Sequence, residues 1–454
     1  MENGPEEILG GHSVLDITGE LDFGTAPVGY TAAQRPAAQT VTVTNIDDDT
    51  VTLELPAVTN ADLADRWEIS KPAKLTLNKD EKTSFTVRPK IGIVSTMNGD
   101  QTENAAFDLT VKTADGAYEE TCCLRFLVGL TGNIPARSLA AAYGAEDTAI
   151  LTGNTKLTLA AGEYLVIGDI RPEAGADPAP ALTVSGAGTM QTRRIDIEAG
   201  ELMIDAGAKL ACTSGIKAEK IKVFKNCELT AAMTDEPVDG ESGVTVECGS
   251  FISHGTVQIT AGDFIRDGIL PRGILADDIE IPEGSFTVKN PSRNAFGPPA
   301  IEFRKSMKIG TAGSGAIPIV SAHSAIGCAI YGADTPDQEG LIVSGKARLL
   351  AETEDYRSAI VIKSASSEED KLRLGIGDDG ENRLTDPIPD DFWTGRVEFS
   401  ETEQGWALFT RDYPADRVLV EPRSDDETKA RASVSVSAGS LRFTGVEGEA
   451  APAA

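Results

Sequence analysis

The chain has 454 residues, 45 of them glycine, with 5% aromatic residues. Its 41 lysines and arginines stand against 71 aspartates and glutamates, a formal net charge of −30. That length exceeds one ordinary core, so two or three domains are expected. So acidic a surface repels phosphate backbones and anionic lipid, which argues against nucleic acid and membrane surfaces as partners.

Residues 1–13 are polar and glycine-rich, and predict a disordered start. No stretch has the apolar core of a signal peptide or the length of a membrane span. Taken alone this reads as a cytosolic chain, and equally as a secreted one whose signal has been removed. From residue 14 to about 130 apolar residues alternate with polar ones. Val41, Val43, Val51, Leu53 and Leu55 alternate around a turn at Asn45 to Asp49. Leu75 and Leu77 precede a turn at Asn78 to Asp80 and then Phe85-Thr86-Val87. Phe107, Leu109 and Val111 precede Ala114-Asp115-Gly116, and Leu124, Phe126 and Val128 close the series. Short period-2 runs with turn signals between them predict a β-sandwich.

Four motifs make that region specific: LDFGTAPVGY at Leu21 to Tyr30, QTVTVTN at Gln39 to Asn45, Trp67-Glu68-Ile69, and SFTVRPK at Ser84 to Lys90. In this order they resemble the abnormal-spindle/hydin-type immunoglobulin-like domain of large bacterial cell-surface proteins, over about residues 14–129. The stretch Val94 to Glu103 departs from the family pattern and reads as a lengthened loop. The resemblance implies an extracellular spacer or docking module without catalytic residues, and it carries no site onto this chain.

Residues 131–148 read as a linker with a short capping helix. Gly132, Asn133 and Pro135 break the strand, Ser138 is the expected N-cap, and Gly144 the stop. Residues 149–446 are organised by a repeated phrase, two apolar residues one apart, then a glycine, then a second apolar stretch. Copies are LTLAAGEYLVI (Leu157 to Ile167), IDIEAGELMI (Ile195 to Ile204), VTVECGSFI (Val244 to Ile252), VQITAGDFI (Val257 to Ile265), IEIPEGSFTV (Ile279 to Val288) and VSVSAGSLRF (Val434 to Phe443). A degenerate copy, Ile221 to Ala231, has Asn226 at the glycine position. Each copy is expected to be strand, kink, strand, with glycine or asparagine supplying a positive φ.

The glycine positions 200→226, 226→249 and 262→284 lie 26, 23 and 22 residues apart, suitable for coils of a β-solenoid. The 13-residue step 249→262 is too short for a coil and places those glycines on different sides of one turn. The Pro-rich stretch Arg171 to Pro180 reads as a projecting loop. The segment Gly215 to Val223 echoes Gly273 to Ile281, with weaker echoes at Ala300 to Phe303 and Ala359 to Ile362. Stacking like residues over like explains such echoes. An antiparallel meander or a second sandwich is the alternative, because a hairpin around glycine gives the same local pattern. The fold class expected is therefore all-β, an N-terminal immunoglobulin-like β-sandwich followed by a right-handed parallel β-helix. Residues 447–454 form a linker-like tail.

Catalytic signatures are sparse. Cys122, Cys123, Cys212, Cys227, Cys248 and Cys328 include no C-x-x-C pair, so zinc and redox centres are not expected. The three histidines, His12, His254 and His323, stand in no hydrolase motif. The acidic pairs Asp277-Asp278, Asp378-Asp379 and Asp390-Asp391, and Asp47-Asp48-Asp49, lack the alternation of calcium loops; no metal or cofactor is expected. Asp277-Asp278 with Arg272, or Arg193-Arg194 with Asp196, could imitate a polysaccharide-cleaving site, but both sit where solvent-facing charges precede a strand. Trp393 and Trp406 are the candidate ligand-binding residues, as aromatic platforms for a glycan. The expectation is a non-enzymatic, extracellular, structural or adhesive protein presenting solenoid loops to a glycan or a surface protein. A polysaccharide lyase or hydrolase on the same scaffold, and a spacer without ligand, are the alternatives.

Overall fold

The computed structural model describes residues 14–19, 21–58, 65–91, 106–140, 143–235, 242–264, 269–293, 297–311, 314, 316–333, 340–344 and 347–353. Beyond these it describes the strand segments 360–362, 372–375, 397–400, 406–409, 419–422, 432–437 and 440–445. The expected disordered start, residues 1–13, and the linker-like tail, residues 447–454, lie outside the described residues. The chain is nearly all β and divides into two compact units, Met1–Thr131 and Gly132–Ala454. Among the described residues no helix is long and apolar enough to cross a membrane.

In the first unit, Leu15–Thr18, Gln39–Asn45, Lys82–Pro89 and Trp67–Ile69 form one antiparallel sheet in the order 15–18, 39–45, 82–89, 67–69. Ala57–Val58, Ala106–Lys112 and Glu119–Pro135 form a second antiparallel set, to which Leu21–Pro27 adds in parallel. The strands of both sheets alternate buried and exposed positions, as period-2 side chains dictate. Trp67 from one sheet meets Phe23 and Phe126 from the other, with ring centroids 5.4 and 6.0 Å apart. Tyr30 packs edge-on against Phe126 at 5.9 Å. The Asn45 turn is pinned from inside: the fully buried Asn45 amide donates to the carbonyls of Asp49 and Leu77. The predicted alternation through Leu55 fails. The strand is only Val51–Thr52 with a bridge at Leu53, and Leu55 is 59% exposed.

The predicted helix is one 3-10 turn, Ala136–Ser138, and Ser138 ends it instead of capping it. Pro135 takes the N-cap position in an extended conformation, φ −64° and ψ 127°, with no side-chain cap. Leu139 and Tyr143, which follow the turn, are buried.

The rest of the second unit is dominated by three parallel ladders. In the first, Ile170, Ile195, Ile216, Val246, Ile274, Ile301 and Ile330 are successive register partners, 21 to 30 residues apart. The second runs Leu182, Leu202, Ile221, Phe251, Ile279, Met307 and Leu341. The third runs Leu165, Met190, Leu210, Leu229, Val257, Phe286, Val320 and Leu349. The chain visits the ladders in turn and then returns one strand on, so each round supplies one strand to each. All the residues of these rows are buried, and Phe251 and Phe286 touch across the interior at 5.4 Å. No single round buries its own apolar face; neighbours do it. The echo segments are explained directly: Gly215 to Val223 and Gly273 to Ile281 stack two rounds apart, with Val244–Ser253 between them.

The repeated glycine turns out to serve two purposes. Gly162, Asn226 and Gly284 have φ of 77°, 64° and 91°, the expected kink. Gly200 and Gly249 instead lie inside the continuous strands Thr189–Asp205 and Val244–Ser253, without positive φ. A Cβ at Gly200 would stand 2.3 Å from the Pro180 carbonyl oxygen, and one at Gly249 2.7 Å from a Glu219 carboxylate oxygen. Those two glycines make room. The final phrase differs again: Ala432–Ser437 and Ser440–Gly445 pair antiparallel, as a hairpin does.

Candidate functional site

With the interior apolar, chemistry is confined to the outward positions between the buried ones. Many outward charges find an opposite charge on a neighbouring round. Arg193 makes a two-pronged contact with Asp169, its Nε donating to Oδ1 at 2.8 Å. Lys209 pairs with Glu228 at 2.7 Å and Lys217 with Glu198 at 2.8 Å. At one corner Lys225 reaches Glu283 two rounds away at 2.8 Å, and His254 Nδ1 stands 3.4 Å from the same carboxylate. The Lys225 contact is the main cause holding the Glu283 carboxyl below its usual range.

The two arginine–carboxylate sets expected from the sequence are regrouped. Arg194 does approach Asp196, at 3.8 Å, but Arg193 belongs to Asp169. Arg272 is not with Asp277-Asp278; it lies 2.7 Å from Glu302 on the next round. Asp277 pairs instead with Arg304 at 3.4 Å and Lys305 at 3.3 Å, and Asp278 accepts a 2.6 Å hydrogen bond from Ser306. Sequence reasoning missed Glu302, whose only signal is a charge between two core residues, Ile301 and Phe303.

Glu302 stands apart from the other outward charges. It belongs to an outward column, Lys217, Glu247, Leu275, Glu302, Tyr331, formed by direct register partners on successive rounds. Its side chain is 13% exposed and that of Arg272 25%, whereas Lys209, Lys225 and Arg193 are each about half exposed or more. Leu275, in the same column, is buried despite its outward position. Burial pushes the Glu302 carboxyl up, against the opposing pull of Arg272 and Arg304.

The cysteines are packing groups where they are described. Burial pushes the Cys212 thiol up to about 11, and Cys248 is raised in the same direction, chiefly by burial with Asp277 next. Cys212, Cys227 and Cys248 are buried free thiols. His323 sits between Lys289 and Glu352 in register, apart from His254. Among the described residues no group of three or more histidine, cysteine or acidic side chains could hold a metal. Trp393 lies outside the described residues. Trp406 opens the strand Trp406–Phe409 and takes the register position next to Arg348 in the third ladder.

No family model matches the chain, and no curated protein matches it. Among solved structures, it is similar at 19% identity to the VesB protease of Vibrio cholerae, over 25% of this chain and 32% of that one, with a TM-score of 0.18. The secreted serine protease VesC of the same organism matches at 14% identity over 29% of this chain and 27% of that one, TM-score 0.19. The periplasmic chaperone SfaE matches at 18% over 29% and 66%, TM-score 0.18. The chain thus spans about a third or less of the two proteases, and likenesses this slight carry no argument about fold or activity.

Proposed function

We propose that the first unit is an immunoglobulin-like sandwich of the abnormal-spindle/hydin type and the second a right-handed parallel β-helix. On this reading the chain is an extracellular bacterial surface protein with a structural and adhesive role, holding its outer surface out to a glycan. The observation that carries it is the disposition of charge. Interior positions are apolar round after round, and outward charges pair between rounds. Ionic side chains so arranged brace an elongated stack and present a large, water-covered surface on it. Pairs exposed to solvent add little stability each, about 0–1 kcal/mol. Their main effect is to keep that surface close to neutral locally while the chain as a whole stays soluble.

The test is electrophoresis of the purified chain through native gels containing different soluble polysaccharides, stained afterwards for loss of substrate. Retardation without clearing is the expected result. Clearing around the band would establish a lyase or hydrolase on the same scaffold, the reading that the desolvated Glu302 beside Arg272 favours, since perturbed carboxyls are suited to proton transfer. Unchanged mobility in every gel would overturn glycan binding and leave a spacer or a protein-binding adhesin.

A further inference from the structure

We infer that the outer face of the third ladder is a self-association surface, on which a second copy of this chain packs with its stack running the opposite way. This goes beyond the glycan-binding reading and does not depend on it.

The first observation is where charge is missing. In a chain at −30, seven successive strand segments of the third ladder carry only Lys209, Lys289 and Glu228, a net charge of +1. Lys209 and Glu228 pair with each other at 2.7 Å. The central outward column runs from Val166 to Ser321, with Thr230 at its middle, and holds no charged residue. The corresponding column of the first ladder includes Asp196, Lys217, Glu247 and Glu302. Arg348 and Glu352 end the neutral stretch on the following strand. Two copies this acidic repel over most of their surfaces, and a face without excess charge is where they approach at least cost.

The second observation is where apolar surface is left open. Among the described residues of the second unit four large apolar side chains are exposed, and three of them belong to this ladder or its edge: Tyr164 at 56%, Ile317 at 47% and Ile319 at 46%. They lie at its two ends. Tyr164 and Ile319 are the first and seventh members of one outward column, joined by Thr189, Lys209, Glu228, Thr256 and Ser285 as successive register partners. A two-fold axis along the strand direction, through the fourth strand Glu228–Ala232, lays this column on its own reverse. Tyr164 of each copy then meets Ile319 of the other, so both apolar ends are covered. At the axis Thr230 faces its own copy, and two Lys209–Glu228 pairs come together with no net charge. Seven strands about 4.8 Å apart, each about five residues long, make a face of about 34 by 16 Å. Two such faces bury about 1,100 Å², the size of a weak, reversible interface. Its middle is open to solvent, since Thr256, Gln258 and Thr260 are all exposed.

The test is sedimentation velocity of the full chain from about 1 to 200 μM in about 0.05 to 0.5 M NaCl. The inference expects a reversible monomer–dimer equilibrium that tightens as salt screens the repulsion between the acidic surfaces. Thr230→Glu sets like charges against each other at the axis and should weaken the dimer about a hundredfold. Ile319→Glu buries a charge against Tyr164 and should weaken it about tenfold or more. Thr183→Glu, on the outer side of the second ladder, adds the same charge elsewhere and should leave the dimer unchanged. Circular dichroism establishes that each variant is folded. A wild-type chain that is monomeric at every concentration and salt overturns the inference. A dimer kept by both Thr230→Glu and Ile319→Glu overturns this face, and assembly growing past the dimer overturns the closed two-fold arrangement. A monomeric chain whose retardation by a neutral polysaccharide is lost in Thr230→Glu assigns the face to a glycan and overturns self-association.

Discussion

Replacing Gly284 with alanine probes how closely consecutive rounds approach. Gly284 has φ of 91°, and an added Cβ would stand 2.1 Å from the Gly255 carbonyl oxygen and 3.0 Å from the His254 carbonyl carbon of the preceding round. Both atoms are backbone, so no side chain can swing aside. The positive φ alone costs an alanine about 1–2 kcal/mol. Forcing the stacked corners apart adds about 1–3 kcal/mol, as overpacking does. Gly162 is the internal control: its φ is 77°, but nothing lies within 4 Å of its would-be Cβ. Gly162→Ala should therefore cost only the conformational part. Urea unfolding followed by circular dichroism should show Gly284→Ala less stable than Gly162→Ala by about 1–3 kcal/mol. Equal losses would refute close stacking of the corner backbones.

Other expected outcomes follow from the same structure. Phe286→Ala empties a fully buried ladder position against Phe251 and should cost about 3–5 kcal/mol, read as a shift of the unfolding midpoint. Tyr30→Phe removes the hydroxyl that donates to the Lys90 carbonyl and should cost about 1–3 kcal/mol by urea titration of the same chain. Burial pushes the Tyr30 phenol up to about 12. Its neutral form is thus favoured in the folded state, and its stabilisation should fade as pH climbs from about 10 through about 12, a fade Tyr30→Phe should lack. Glu302 has a raised carboxyl, so its contribution is fully present below the unfolded carboxyl range and lost as pH rises through its folded value. Thermal unfolding from pH 4 to 7 should lose that component in Glu302→Gln. Lys225→Ala breaks an exposed pair and should change stability by about 1 kcal/mol or less, vanishing at high salt.

Much of the second unit was legible because stacking makes sequence repeat. Ile216, Ala218 and Ile221 recur as Ile274, Ala276 and Ile279 since both sets occupy the same interior columns. The lengths of the rounds were less legible. Glycine is one letter for two needs, positive φ at Gly162 and Gly284 and close approach at Gly200 and Gly249, so intervals between glycines mixed different corners. The Arg272–Glu302 pair was hidden for a related reason. Its partners are 30 residues apart, and an insertion of any length between rounds leaves the pairing intact while erasing the spacing. Ser138 looked like a cap because the residue type suits one, but the turn already begins at Ala136, with Pro135 at the N-cap position. The outward Leu275 could not be told from an inward one, since burial on the outer side depends on what covers it.

The register of the third ladder gives the most direct test of the account. Thr230 and Gln258 are direct partners on adjacent rounds, and Thr287 is the next. Parallel neighbours stand about 4.8 Å apart, within the Cα range of a disulfide, while positions two rounds apart are about 9.6 Å apart and beyond it. Cysteines at 230 and 258 should cross-link on mild oxidation, seen by mass spectrometry of the peptides, and cysteines at 230 and 287 should not. Cross-linking of 230 with 287 in place of 258 would contradict the parallel stack on which everything above depends.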